Sequence, residues 1–479
     1  MKTKDEYLES LQKLKPAVYV HGKKVHPLEE PLLKNVTEAI GFTYEAAFGE
    51  YKEFFRAKSH ITGKDINIFT HIPQNADDLR KWAEVMKIST SEAGCIFRCV
   101  GNDLLRSLCI VTYEIDKKYG SEYHKRFLEY LTYVQEEDLT CAMAMTDAGG
   151  SRSIEPTKQP DRDAYVRIVE EKSDGIVIRG CKGPVAVVPL SHEILVAPTR
   201  AMGEKEKEFA VSCAIPIDSK GVKIISRPRG LNNYKKTNFR TASSESLIIF
   251  DDVFVPHERV FLCGEYDFVF RLVDLFTIFH RHTCGALCKK GFYDLFCGAL
   301  LCIAEYNGLD PIRVGHIRDK FIDLYTLGEI SWALGIAAIY EGSKVDPGVF
   351  VPSPVFSNLA KLHTTQTFHT AYRVLLDVAS GMPVSIPTPE DYENPEIRSQ
   401  IIKYLKRNPA VKSENVIKML WLIEDLLLSS WGARNLILSV HGGGHEQASR
   451  RMLLNHIDIK KLKELAEKKA NIEKISFVA

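Results

Sequence analysis

The sequence predicts an α+β fold in which a β domain lies between two helical domains. Apolar residues recur at helical spacing before about residue 139 and again after about 268. Between those limits, short alternating runs are punctuated by turn residues. The 479 residues, 45% hydrophobic and 26% charged, suffice for several layers around a sizeable core. The predicted divisions are 1–139, an N-terminal helical domain; 140–267, a middle β domain; and 268–479, a C-terminal helical bundle.

In the first region Asn75 reads as an N-cap with Asp77 and Asp78 in the first turn, leading into Leu79, Trp82, Val85, Met86 and Ile88. Further helical stretches run through Leu104 to Ile115 and Tyr123 to Val134, so this part should be mostly helix. The texture changes near Thr140. Tyr165 to Glu170 and Ile176 to Arg179 flank an Asp174-Gly175 turn, the signature of a hairpin. Phe209 to Ile215 and Ser246 to Phe250 read as further strands, with Pro216, Pro228 and Pro256 at their margins. Long amphipathic stretches then return at Phe268 to Tyr306, Ile312 to Glu341, Pro354 to Ser380, Glu414 to Leu438 and Glu446 to Lys469. The Lys-rich tail from Lys460 reads as a solvated helix face.

Sixty-three Lys and Arg against 62 Asp and Glu leave a formal charge of +1, which excludes a globally basic nucleic-acid binder. Small-molecule chemistry is the default. Eleven cysteines are too few and too scattered for a disulfide scaffold and fit a reducing compartment. The start, Met1 to Tyr7, does not read as a secretory signal. The apolar run Leu295 to Ala304 falls short of the ~20 residues of a bilayer span. The expectation is a cytoplasmic protein with neither a membrane nor a nucleic-acid partner.

Two cysteine-bearing segments stand out. Cys95 and Cys99 form a C-x3-C pair, which places both sulfurs on one helix face, one turn apart. His280, His282, Cys284 and Cys288 follow in a second segment, where positions 280, 284 and 288 would form one helical stripe. Thiolates and an imidazole converging from two helices suit a soft-ligand metal site, either iron-sulfur or zinc. Cys109, Cys141, Cys181, Cys213, Cys263, Cys297 and Cys302 read as core filling. A third feature is Thr146-Asp147-Ala-Gly-Gly with Arg152, able to face a polar ring edge or phosphate. A fourth is Ser439-Val-His441-Gly442-Gly443-Gly444-His445, where three glycines permit close approach to a ligand. Simple turns explain both as well.

At these residues the sequence resembles the 4-hydroxybutyryl-CoA dehydratase family, relatives of the flavin-dependent 4-hydroxyphenylacetate 3-hydroxylases and of the acyl-CoA dehydrogenase fold. The likeness covers nearly the whole chain. It is carried by Cys95 to Gly101, Thr112-Tyr-Glu-Ile-Asp116, Met145-Thr-Asp147, Phe250 to Pro256, Phe261 to Phe268, His280-Arg281, Cys288-Lys289 and Glu305 to Gly308. The resemblance implies FAD and a [4Fe-4S] cluster held by three Cys and one His. Carried over, Cys95, Cys99, Cys288 and His280 would be the ligands. Thr146, Asp147, Arg152, His441, Gly442 and Gly444 would contribute to the flavin site, with Asp377 to Gly381 and the His441 loop acting across a subunit interface in a dimer of dimers. Glu245 and Lys289 match further family positions near the reaction, and His280 would double as a base.

The implied activity is a hydro-lyase that dehydrates a 4-hydroxyacyl-CoA of the 4-hydroxybutyryl-CoA type by a radical mechanism, with delta-isomerisation of a 3-enoyl-CoA. This chain departs from the family in four places. Seven residues rather than six separate His280 from Cys288, which a one-residue helical bulge would absorb unless His282 or Cys284 is the ligand. Cys284 replaces an active-site Tyr, Leu438 a Glu, and Ala186 a Thr. Two competing readings are a cluster-free FAD oxidoreductase, either an aromatic hydroxylase or an acyl-CoA dehydrogenase, and a non-catalytic zinc or redox sensor.

Overall fold

A computed structural model describes residues 1–472 apart from 97, 230–236 and 240–242. Phe97 of the Cys95 to Gly101 motif and the end of the Lys-rich tail therefore lie outside the described residues.

Asn75 caps the Ala76–Ala93 helix, its side chain accepting the Asp78 N–H. That helix stops at Gly94, whose φ of 65° takes the backbone where a side chain is disfavoured. Space excludes one too, since a β-carbon there would stand 2.9 Å from the Trp431 ring. Cys95 and Ile96 then run outside any helix before the Arg98–Tyr119 helix starts. The predicted shared helix face of Cys95 and Cys99 is thereby corrected. Only Cys99 is helical, and Cys95 enters from the break that Gly94 creates.

The N-terminal region also holds strands that its periodicity hid. Val18–Val20 pairs antiparallel with Lys23–Val25 and parallel with Val222–Arg229. A large mixed sheet results, in the order Lys23–Val25, Val18–Val20, Val222–Arg229, Ser243–Pro256, Gly175–Ala186, Arg167–Glu171. The hairpin expected at Asp174-Gly175 is present, with the Lys172 N–H donating to the Gly175 carbonyl at 2.8 Å. A second sheet runs Val260–Cys263, Val211–Pro216, Glu193–Val196, Cys141–Ala144.

After the sheets, the Tyr266–Arg281 helix passes through a π-helical segment, His282–Leu287, into the Cys288–Tyr306 helix. A π turn takes one more residue than an α turn, so the extra residue between His280 and Cys288 is absorbed there. The expected stretch from Glu414 to Leu438 divides at Ser429, whose side chain caps the Ser430–His441 helix after Ser413–Leu427 ends. The last stretch likewise divides into Glu446–Asn455 and Ile459–Lys469 at the Asp458 cap.

The 26-residue Gly315–Tyr340 helix is, by length and composition, apolar enough to cross a membrane, which the shorter Leu295 to Ala304 run is not. It packs closely on the bundle through small residues, because a β-carbon at Gly328 would meet Tyr293 at 2.7 Å and one at Gly335 would meet Leu287 at 2.8 Å. Together with Pro354–Val378 it flanks the π segment.

Among the described residues four apolar clusters organise the interior, three of them large. One fills the sheets and the helices that cover them, and one fills the C-terminal bundle. The third joins Trp82, Val85 and Met86 to Cys99, Ala286, Leu287 and Cys288. It fastens the N-terminal helices to the π segment, and burying each such side chain stabilises the contact by roughly 1.5–3 kcal/mol.

A candidate cysteine-histidine centre

The third cluster brings the two cysteine segments together. Cys99 and Cys288 are buried in it, and Cys284 packs against its edge. All the cysteines are free thiols. Burial pushes the Cys99 thiol well up, and the neighbouring Cys95, Asp103, Cys288 and Cys284 push it further. Burial likewise takes Cys288 to about 12, with Lys289 and Lys361 pulling down against Cys95 and Cys284. Four thiols drawn from the two segments thus feel one another. Among the described residues no three His, Cys, Asp or Glu side chains converge tightly enough for a single metal ion.

His280 ends the Tyr266–Arg281 helix inside this centre. Its ring stacks on Phe276, centroids 5.3 Å apart, and its Nδ1 lies 3.0 Å from Asp103 Oδ2. The opposite edge faces Gly443, where a β-carbon would stand 3.3 Å from His280 Cδ2 and 3.4 Å from Cys284 Sγ. Burial opposes charge on His280, but Cys284 and Asp103 outweigh it and raise the imidazole to about 10. For Cys284 burial acts upward, yet His280, Lys361 and Lys289 bring the thiol down to about 7. His282 points elsewhere, with Nε2 3.1 Å from the Gly335 carbonyl and burial depressing it to about 4.

Cations balance the thiols. Lys289 Nζ donates to Ser439 Oγ at 2.8 Å, and Lys361 Nζ donates to the Ser439 carbonyl at 2.7 Å. Burial lowers Lys361 to about 8. Arg281 Nε donates to the Gly443 carbonyl at 2.8 Å, which ties the glycine loop after His441 to the π segment. Lys361 and Asp103 escaped the sequence reading. The available signals were a lone Lys within an apolar helical run and an Asp one turn after Cys99.

The other candidates lie at different distances from this centre. Glu245, in Ser243–Pro256, pairs with Arg434, whose Nε is 2.6 Å from Oε1. Its cross-strand neighbour in Gly175–Ala186 is Ala186. Ala186, Leu438 and Cys95 all pack on one cluster with Tyr7, Val36, Ile40 and Val187, so Ala186 and Leu438 share a wall with Cys95. Thr146 and Arg152 are exposed at the start of the β domain. Asp147 beside them has its carboxylate engaged within the protein, 2.8 Å from Lys182 Nζ and 2.9 Å from the Val166 N–H. Arg152 donates to the Asp147 carbonyl at 2.7 Å. His441 is exposed, while Gly442 and Gly444 are half-buried beside Cys284 and Arg281.

Residues 3–262 match the model of the 4-hydroxyphenylacetate 3-hydroxylase N-terminal region, and residues 269–471 match that of the C-terminal region. The chain belongs to the 4-hydroxyphenylacetate 3-hydroxylase family. Within this family it is 35% identical to the 4-hydroxybutyryl-CoA dehydratase/vinylacetyl-CoA Δ-isomerase of Clostridium aminobutyricum, over 98% of this chain and 99% of that one. The family's 4-hydroxyphenylacetate 3-monooxygenase oxygenase component from Thermus thermophilus is 24% identical over 90% of each chain. Among solved structures, an oxygen-tolerant archaeal 4-hydroxybutyryl-CoA dehydratase from N. maritimus superposes with a TM-score of 0.94 at 35% identity, covering 99% of this chain and 96% of that one. An oxygenase component of 4-hydroxyphenylacetate 3-monooxygenase complexed with FAD superposes at 0.86 with 22% identity, 98% of each chain being covered, which shows the shared fold.

Proposed function

We propose that the chain is a FAD- and [4Fe-4S]-dependent hydro-lyase that dehydrates a 4-hydroxyacyl-CoA of the 4-hydroxybutyryl-CoA type and isomerises the corresponding 3-enoyl-CoA. The observation that carries this reading is the end-to-end 35% identity with a dehydratase, against 24% with a hydroxylase. The donor set supports it. Four free thiols and a carboxylate-bound imidazole gather around one centre. A multi-iron cluster holds its ligands further apart than a single ion does, which suits this spread.

In this reading Cys95, Cys99, Cys288 and His280 hold the cluster. His280 is preferred over His282 because a ligating histidine ordinarily gives its other ring nitrogen to a carboxylate, as His280 does with Asp103. When bound, the flavin supplies one-electron chemistry that acidifies an unactivated C–H, and the cluster supplies a Lewis acid for the hydroxyl. The chain's own groups do the rest. His280 doubles as a base, because its Nε2 can accept a proton whenever it is not ligating. Lys289 and Lys361, fixed on Ser439, offset the negative charge of the thiolates. Glu245, anchored by Arg434, lies directly across the sheet from Ala186. Thr146, Asp147, Arg152, His441, Gly442 and Gly444 hold the flavin, with Asp147 ordering this turn through its contacts with Lys182, Thr199 and Arg152.

The acyl-CoA dehydrogenase-like arrangement, domain limits at 139/140 and 267/268, a cytoplasmic location and a homotetramer in which the His441 loop completes a neighbour's flavin site belong to the same proposal. The test is anaerobic purification followed by visible spectroscopy and assays of iron, sulfide and flavin. Four irons per chain with flavin support the reading. Flavin without iron favours a cluster-free FAD oxidoreductase, and zinc alone favours a sensor. Turnover of 4-hydroxybutyryl-CoA and vinylacetyl-CoA then tests the substrate, and inactivity with both rejects the activity even if a cluster is present.

A further inference from the structure

Asp103 lies one turn after Cys99 and is fully buried. Its two carboxylate oxygens have different duties. Oδ2 faces His280 Nδ1 at 3.0 Å. Oδ1 accepts from Arg106 Nη1 at 3.3 Å and from Thr283 Oγ1 at 3.3 Å. Each of those donors is itself held. The Arg106 guanidinium lies 4.3 Å from the centre of the Trp82 ring, and Trp82 Nε1 donates to Thr283 Oγ1 at 3.1 Å. Because that hydroxyl receives the Trp82 proton, its own proton is left for Asp103. Trp82 and Thr283 thus donate in sequence to the Asp103 carboxylate, which faces His280 Nδ1 through its other oxygen.

We propose that Asp103 is the positioning residue that sets the tautomer and ring orientation of His280, so that Nε2, without a proton, is the nitrogen presented to the cysteines. This inference rests on the assignment of His280 as a cluster ligand. A carboxylate accepts on both oxygens, so Nδ1 keeps its proton and donates it to Oδ2. An amide at position 103 has only one accepting oxygen, which Arg106 and Thr283 claim. Its NH2 group would then face Nδ1, forcing Nδ1 to accept and the ring proton onto Nε2. A serine-protease aspartate changed to asparagine disables its histidine in this way, by selecting the wrong tautomer. Nothing need move for ligation to be lost.

The test uses full-length chain purified anaerobically and loaded with 57Fe, read by Mössbauer spectroscopy and by iron release to a chelator. Asp103→Asn should remove the iron component that His280→Ala also removes and should speed iron release about 10–100-fold, with circular dichroism unchanged. A cysteine in place of His280 has no tautomer to set. Adding Asp103→Asn to His280→Cys should therefore leave four irons per chain and a release rate within about twofold of His280→Cys alone. A structural role for Asp103 would persist in that double variant, so release that remains accelerated there overturns the inference, as does an Asp103→Asn spectrum identical to wild type. Should Asp103→Asn fail to fold, Asp103→Glu keeps the charge beside Arg106 while displacing the acceptor. An unchanged spectrum from it also overturns the inference, and loss of the same component supports it. If His280→Ala leaves the spectrum untouched, the ligand assignment itself is wrong, a result distinct from one in which only the Asp103 variants are silent.

Discussion

Cys284 is more ionisable than the neighbouring Cys99 and Cys288. Burial alone would keep it protonated, but His280, Lys361 and Lys289 bring it to about 7, while Cys288 stands at about 12. In metal-free chain at pH 7.5, iodoacetamide should therefore label Cys284 before Cys99 or Cys288, followed by peptide mass spectrometry. His280→Ala should slow that labelling by about tenfold or more, and equal labelling of the three thiols would contradict the charge arrangement. Cysteine and histidine candidates were legible in the sequence because their spacing is local. Asp103 and Lys361 were harder to see, because their importance comes from contacts with residues about 180 and 80 positions away. Only folding reveals which of many acids and lysines lies beside a thiol.

The π segment is the element on which the centre depends. Gly285 within it approaches the Lys361 backbone so closely that a β-carbon would lie 2.7 Å from Lys361 Cα. Gly285→Ala should cost about 1–3 kcal/mol by forcing this segment and the Pro354–Val378 helix apart. Chemical denaturation measures the loss, and a neutral substitution would show that the two backbones can separate freely. Asp147 performs a comparable service in the β domain, where it and Lys182 are each only 2% exposed. Asp147→Ala should destabilise by about 3–5 kcal/mol in the same assay, because it leaves a buried ammonium unpaired. Sequence reasoning found the Asn75 cap and the Asp174-Gly175 hairpin because a single residue type determines each. The π segment was anticipated only through the family resemblance, as a one-residue helical bulge between His280 and Cys288, because one extra residue in a helical turn leaves no compositional trace. Gly94 did carry a signal, a glycine just past the last periodic residue, that would have taken Cys95 off the helix.

The N-terminal segment is tied to the rest of the molecule by buried polar contacts as well as by packing. His192 Nδ1 accepts the Thr140 N–H at 3.0 Å, and its Nε2 lies 2.8 Å from Ser10 Oγ. Burial, with help from Lys2 and Arg98, depresses this imidazole to about 3, so the folded chain keeps it neutral where the unfolded chain would protonate it near 6.5. Its contribution to stability is thus complete above about pH 6.5. That contribution is lost as pH falls toward about 3, at up to about 1.4 kcal/mol per pH unit. Urea unfolding between pH 7 and 4.5 should show this slope in wild type and a shallower one in His192→Gln, and parallel curves would remove His192 from the account. The alternation of helical and β periodicity was enough to predict a mixed fold of helices and strands. Short strands with distant partners were not, because three residues carry too little pattern to identify themselves.

The pairing of Val18–Val20 with Val222–Arg229 also has a meaning for biosynthesis. The Val18–Val20 strand leaves the ribosome about 200 residues before its partner, which follows roughly 10–40 s later at ordinary elongation rates. During that interval the apolar Val18 and Val20, both buried in the finished protein, have no sheet to join. This strand is therefore made well before it can be seated, and it stays without its parallel partner until the Val222 strand emerges.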